Sequence, residues 1–202
     1  MARIESLFVT KLYRTELPRG SNAALAKTCL AISREDKAGR RWAREHGYPG
    51  YTSYASLDDL IRRATVFAEL ERLIAAHVRG FAKALDFERP RLALDSLWIN
   101  VMPAGGLHTA HIHPHAAVSG TYYVQVPQQA SAIRFEDPRL PLMMAAPPRQ
   151  KSARRENRPF VSVQPRAGTL LLWESYLRHD VPLNRAKGMR ISLSFNYAWS
   201  PV

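Results

Sequence analysis

The stretch His108-Thr109-Ala110-His111-Ile112-His113-Pro114-His115, followed much later by His179 and then Arg190-Ile191-Ser192, decides how this chain is read. Five of its seven histidines lie in these two places. Successive side chains of a strand point to opposite faces, so His111 and His113 share a face and can reach one ion together. Pro114 has no N–H to donate and ends the ladder. His179 comes after the apolar run Thr169-Leu-Leu-Leu-Trp173, at the start of the next turn. Two imidazoles at one strand end and a third from another strand make a barrel-mouth arrangement that covers one face of an octahedral metal. Iron is the first metal to consider, because facial three-ligand sites with open positions suit non-haem Fe(II). Taken alone, His111 and His113 are first of all strand histidines with hydrogen-bonded nitrogens. His179 and the arginine downstream are what raise the metal reading.

The last strand adds a second constraint. Arg190, Ser192, Ser194 and Asn196 fall on one face, while Ile191, Leu193, Phe195, Tyr197 and Trp199 fall on the other. On a surface strand the polar face simply meets water. If it points into a barrel instead, Arg190 is a buried cation that needs an anion. The carboxylate of a dicarboxylic acid would satisfy it through two parallel charge-assisted hydrogen bonds. Ser119, Thr121, Tyr123 and Gln125 alternate in the same way with apolar neighbours, which puts the Tyr123 hydroxyl on the polar side with Arg190. Asn100, opposite in phase to Leu97, Ile99 and Val101, is a candidate for the pocket lining. Trp98 and Tyr122 read as core or pocket wall, and His108 and His115 as neighbours of the site or solvent residues.

Working outward, the pattern divides the chain. Leu7 to Tyr13 reads as a strand, ended by Pro18 and Gly20, and Ser21 or Asn22 opens a helix that runs to Ser33. Arg34 to Tyr54 is polar, basic and punctuated by Gly and Pro, so a long surface loop is expected. From Ser56, apolar residues recur at three- and four-residue steps through Leu85 (Leu57, Leu60, Ile61, Ala64, Phe67, Leu70, Ile74, Val78, Phe81), the stripe of one amphipathic helix. Ser56 with Asp59 resembles its capping box, and Gly80 is a point where it could bend. From Arg91 the period becomes two, with strands over Leu97–Val101, Val118–Val126, Ala132–Phe135, Phe160–Val163, Thr169–Trp173 and Met189–Trp199. Helices first and short strands afterwards argue an α+β, mainly β fold, its strands forming a barrel or sandwich braced by the helices. The expected organisation is one domain over 1–202, with 1–89 as helical support, 90–202 as the core and an insertion at about 138–159.

Bulk properties set limits. The 202 residues suffice for a core without staples. The single cysteine, Cys29, reads as a buried free thiol and fits a reducing compartment. No apolar run approaches a membrane span, and Met-Ala-Arg-Ile-Glu-Ser lacks the layout of a secretory signal, so a cytoplasmic protein is expected. The net charge of +12 comes mostly from arginine, clustered at Arg40, Arg41 and Arg44 and from Arg149 to Arg158. Such a surface attracts polyanions, nucleic acid included, but no groove-reading motif accompanies it.

Three segments together, His111-Ile-His113-Pro, Ser119-Gly-Thr-Tyr-Tyr-Val124 and His179 followed by Arg190-Ile-Ser-Leu-Ser-Phe-Asn196, resemble the Fe(II)/2-oxoglutarate-dependent oxygenase superfamily. The pattern is similar to that of a bacterial and phage group of such oxygenases, and to the prolyl-hydroxylase-type members. It covers roughly residues 90–200, and Gly50-Tyr-Thr-Ser53 and Leu57-Asp-Asp-Leu60 also look like that group. The resemblance implies a double-stranded β-helix (jelly-roll, cupin-like) core, with Fe(II), 2-oxoglutarate and O2 as cofactor and co-substrates. By position it makes His111, His113 and His179 the metal and catalytic residues. Arg190 becomes the partner of the 2-oxoglutarate distal carboxylate, with Ser192 and Tyr123 as helpers and Asn196 beside them. The implied reaction is hydroxylation of a substrate, free or protein-borne, with release of succinate and CO2. His113 stands where the superfamily usually carries Asp or Glu, which leaves Asp137 and Asp180 as other candidates for an acidic ligand. Two rival classes remain: a cupin-like three-His metal protein (an isomerase or dioxygenase) without 2-oxoglutarate, and a non-catalytic polyanion-binding module. Assembly into a homo-oligomer is left open.

Overall fold

Two antiparallel sheets face each other in the computed structural model of the chain, which describes residues 1–88 and 91–200. The elements run β1 (Leu12–Glu16), α1 (Asn22–Glu35), α2 (Lys37–Glu45), β2 (Tyr51–Thr52), α3 (Leu60–Arg63), α4 (Thr65–Ala84) and β3 (Arg91–Met102). They continue with β4 (His108–His111), β5 (Val118–Gln125), β6 (Ile133–Glu136), β7 (Phe160–Val163), β8 (Thr169–Glu174), β9 (His179–Val181) and β10 (Arg190–Ser200). The large sheet has the order β1-β8-β5-β10-β3-β2 and the small one β4-β9-β6-β7. This is a jelly roll, the double-stranded β-helix, with helices on one side. The expected boundary at 89/90 lies outside the described residues.

Alternation along the large sheet separates two cores. Leu97, Ile99, Tyr122, Leu170, Leu172, Leu193 and Phe195 face outward and pack with Leu25 and Cys29 of α1 and Phe67, Leu70, Ile74, Val78 and Phe81 of α4. The residues of opposite phase, Met102, Tyr123, Leu171 and Trp173, face inward and meet Ile133, Phe135, Val163 and Val181 of the small sheet. The helices therefore cover the apolar face of β10, and its polar face becomes the barrel interior. Gly120 on β5 is required by close approach: a Cβ there would lie 2.4 Å from the Phe195 ring and 2.7 Å from the Leu171 carbonyl oxygen.

Several expectations need correction. The loop expected over 34–54 contains α2, which buries only the small Gly39 and Ala43 and so shows no apolar stripe. Asp36 caps it by accepting from the Gly39 N–H at 2.9 Å. The single helix expected from Ser56 is two, broken where Ala64 is extended at φ −155°, ψ 138°. Ser56 caps neither: its hydroxyl donates to Asp36. Asp59 is tied to Arg63 instead. Gly80 does not interrupt α4. The first strand begins at Leu12, with Leu7, Phe8 and Val9 exposed before it. The 138–159 segment carries two short 3₁₀ turns, Leu140–Leu142 and Arg155–Asn157, on the surface.

Candidate metal centre and acidic co-substrate pocket

β4 and β9 are neighbours in the small sheet, and His111 stands directly opposite His179 in their register. β9 opens on His179, which is therefore a strand residue rather than part of a turn. β4 ends at His111, so His113 lies just past the ladder, where its N–H donates to the Ser175 carbonyl at 3.0 Å. The three imidazoles converge nonetheless. One ligand atom from each of His111, His113 and His179 lies within 4.8 Å of the others. His113 and His179 stack with planes 4° apart, their Nε2 atoms 3.3 Å from each other.

The outer nitrogens fix the tautomers. His111 Nδ1 lies 2.7 Å from the Thr109 carbonyl oxygen, and His179 Nδ1 lies 2.9 Å from that of Leu177. A carbonyl can only accept, so Nδ1 carries the proton and the Nε2 lone pair is left for a cation. Burial, with the neighbouring His111, pushes the His179 pKa down to about 3, and the same causes take His113 to about 4. Both rings are neutral at physiological pH, the state in which imidazole ligates metal. Three convergent imidazoles, two of them with Nε2 left free by a carbonyl-held Nδ1–H, form a donor set that fits a divalent metal.

Neither alternative acid reaches the site. Asp180 is held by Arg134, whose Nε donates at 3.0 Å, and Asp137 is held by Arg139 at 2.8 and 3.0 Å. The candidate centre is therefore three imidazoles with no carboxylate among the described residues that group with them.

Beside the histidines runs a pocket lined by Trp98, Asn100, His108, Thr121, Tyr123, Ile133, Trp173, Val181, Arg190, Ser192 and Ser194. Arg190 is 3% exposed, and no ion pair among the described residues includes it. Its guanidinium lies over the Tyr123 ring, 4.9 Å from the centroid. Five buried side-chain atoms of the described residues lack a hydrogen-bond partner, and four line this pocket: Asn100 Oδ1, Tyr123 Oη, Trp173 Nε1 and Arg190 Nε. Unpaired buried polar groups are costly, so such a concentration marks a place shaped for something else. Tyr123, Trp173 and Arg190 are donors, and a carboxylate offers only acceptors. The residues present fit an acidic co-substrate.

Ser192 is buried in the lining, as its place on the polar face of β10 predicts. Asn196 is used differently: its Oδ1 accepts from Ser119 at 2.8 Å, its amide donates to Ser96 at 3.1 Å, and it lies within hydrogen-bonding reach of His113. It braces a histidine rather than facing the open pocket. His108 lines the pocket, bonded to the Tyr48 hydroxyl, while His115 is exposed in a turn at φ 67°. Sequence reading missed Trp173 as a donor, since it ends an otherwise apolar run. It missed Tyr48 entirely, because nothing local ties a residue between α2 and β2 to a histidine sixty positions later.

The comparisons agree with this geometry. The family described as "Putative 2OG-Fe(II) oxygenase" matches residues 96–196, half of the chain. No curated protein matches by sequence. Among solved structures, the non-heme alpha ketoglutarate dependent epimerase SnoN from nogalamycin biosynthesis superposes with a TM-score of 0.65 at 16% identity, over 95% of this chain and 79% of that one. A prolyl hydroxylase from Trichoplax adhaerens gives 0.63 at 14%, over 93% and 83%. A Pseudomonas putida prolyl-4-hydroxylase gives 0.60 at 14%, over 95% and 94%. At such identities these likenesses speak for the fold alone. No helix of the described residues is long and apolar enough to cross a membrane.

Proposed function

Because this chain belongs to the Fe(II)- and 2-oxoglutarate-dependent oxygenases, we propose that His111, His113 and His179 hold its iron and that Arg190, with Tyr123 and Ser192, takes the distal carboxylate of 2-oxoglutarate. Iron, 2-oxoglutarate and O2 together supply the oxidising chemistry, which yields succinate, CO2 and a hydroxylated substrate. The chain's own residues do the rest. His111 and His179 present Nε2 because backbone carbonyls hold their Nδ1–H groups. Asn196, itself fixed by Ser119 and Ser96, steadies His113. Trp173, Phe135, Ile133 and Val181 pack between the sheets beside the histidines and keep bulk water from the site.

The observation that carries this reading is Arg190: a buried cation without an ion-pair partner among the described residues, in a pocket that runs beside three convergent imidazoles. A cupin-like metal protein with no acidic co-substrate would leave that charge unanswered. We further infer a cytoplasmic setting from the buried free thiol of Cys29 and an acidic substrate or partner from the exposed arginines of the 149–158 segment.

An anaerobic titration tests the site. Fe(II) followed by 2-oxoglutarate should give a saturable visible charge-transfer band, absent in Arg190→Ala even though that variant still takes up one metal. Tight metal binding with no band in the unaltered protein would overturn the co-substrate assignment and favour the cupin-like reading.

A further inference from the structure

Residues 138–159, between β6 and β7, form a segment that the core does not use. None of their side chains is buried, and their regular structure is limited to the two 3₁₀ turns. Long ordered connections without packing of their own are usually functional. Both ends of this one are rooted beside the metal centre. β6 pairs with β9 so that Phe135 stands opposite His179, their rings 5.9 Å apart. The next residue, Glu136, donates its N–H to the Arg178 carbonyl at 2.9 Å. Asp137 then donates its own to the Pro159 carbonyl at 2.8 Å and closes the stem. The segment therefore leaves and rejoins the small sheet next to His179, whose register partner His111 is only half-buried.

Its composition says what it could hold. The segment carries six basic residues against one acid, Glu156. Arg139 and Arg154 are paired, with Asp137 and Glu156. No ion pair among the described residues includes Arg149, Lys151, Arg155 or Arg158. The other carboxylates at the root are taken as well, Glu136 by Arg178 and Asp180 by Arg134. Four cations are thus left for an outside partner, and in the same segment Leu142 and Met144 are 82% and 96% exposed. A nucleic-acid strand would want aromatic faces for its bases, and 138–159 contains no aromatic residue. An acidic peptide supplies carboxylates for the guanidinium groups and apolar side chains for Leu142 and Met144. We propose that residues 138–159 are a docking strip for an acidic peptide segment of a protein substrate, held at the metal end of the barrel. That the peptide is a substrate rests on the functional reading above; the docking itself does not.

The test is fluorescence anisotropy on the full chain with a short labelled peptide of glutamate, leucine and glycine. The same peptide with glutamine for glutamate, and a single-stranded oligo-dT of matching charge, serve as the other probes. The acidic peptide should bind saturably, and the glutamine peptide should bind roughly tenfold more weakly or worse. Changing Arg149, Lys151, Arg155 and Arg158 together to glutamine should cost the acidic peptide a similar factor. Changing Lys37, Arg40, Arg41 and Arg44 of α2 alters the net charge equally and should leave its affinity within about twofold. Leu142→Ser with Met144→Ser should weaken the peptide several-fold and leave oligo-dT unaffected. With Mn(II) in the metal site, NMR signals of the bound peptide should broaden. No binding of the acidic peptide overturns the proposal, as does an equal loss in the two charge variants, which would show only a generally basic surface. Oligo-dT binding more tightly than the peptide, with no response to Leu142 and Met144, overturns it in favour of nucleic acid. Strip-dependent binding without broadening, in protein that holds Mn(II), overturns the placement at the metal end. A chain that takes up no Mn(II) yet binds the peptide through the strip is a distinct result: the docking stands and the metal reading falls.

Discussion

Arg190 sets the energetics of its own site. A buried guanidinium with no carboxylate costs the fold several kcal/mol before any co-substrate arrives. The chain bears this cost at a position where the Tyr123 ring supplies only a weak cation–π contact. Removing the charge while keeping an unbranched apolar stem should therefore release strain in the ligand-free protein. Arg190→Met is expected to raise the stability of the metal-free, co-substrate-free chain by about 1–4 kcal/mol, measured by urea unfolding, while eliminating 2-oxoglutarate binding. A stability loss instead would mean that Arg190 is already compensated in the free protein and is not waiting for an anion. Lysine at this position should bind 2-oxoglutarate more weakly than arginine, because a point charge cannot make the two parallel bonds of a guanidinium.

At the scale of elements, the period-2 pattern of β10 was legible in sequence, but which of its faces is the interior was not. Both a surface strand and a barrel strand show Arg190-Ser192-Ser194-Asn196 opposite Ile191-Leu193-Phe195-Tyr197. The answer lies in α1 and α4, whose stripes need the apolar face and leave the polar one inside. The α4 stripe was equally plain; the break before it was not, because Ser56, the residue expected to cap, is drawn off to Asp36. α2 was illegible because it is held by close contact of small residues rather than by apolar area. A Cβ on Gly39 would lie 2.3 Å from Asp36 Oδ2 and 3.0 Å from the Thr52 carbonyl oxygen. Asp36 is the hinge of this region, accepting from the Gly39 N–H, the Tyr51 hydroxyl at 2.8 Å and the Ser56 hydroxyl at 2.6 Å. Burial pushes its pKa up, yet the hydrogen bonds from Gly39, Ser56, Tyr51 and Ala38 outweigh that and hold it below the ordinary aspartate value. A depressed folded pKa means stability that is present above the unfolded pKa, about 4, and lost as pH falls through the folded one. Asp36→Ala should cost about 1–3 kcal/mol at neutral pH through the lost cap and two orphaned hydroxyls. Asp36→Asn should flatten the acid limb of the stability curve below about pH 4. Equal acid sensitivity in Asp36→Asn and the unaltered chain would assign the acid limb to other carboxylates.

For the molecule as a whole, the site is where the two sheets are joined. His111 and His179 belong to β4 and β9 of the small sheet, whereas Arg190, Ser192 and Tyr123 belong to β10 and β5 of the large one. The sequence places these residues in order but says nothing about the gap between sheets, since that distance is set by the inward side chains of both, Tyr123, Trp173 and Phe135 among them. A metal held by the small sheet and a dicarboxylate bridging from it to Arg190 would tie the sheets across that gap, and each ligand should help the other. Binding to the folded state alone stabilises by RT ln(1 + [L]/Kd), about 2.7 kcal/mol at a hundredfold excess over Kd, or roughly 5–10 °C in unfolding temperature for a chain of this size. Ni(II) alone should raise the midpoint modestly, and 2-oxoglutarate alone should barely change it. Both together should exceed the sum of the two, with EDTA returning the protein to its starting point. In Arg190→Met the Ni(II) increment should persist and the 2-oxoglutarate increment vanish. A 2-oxoglutarate shift that survives both EDTA and Arg190→Met would place the acid elsewhere on this basic surface, whereas strict dependence on both locates it between the sheets.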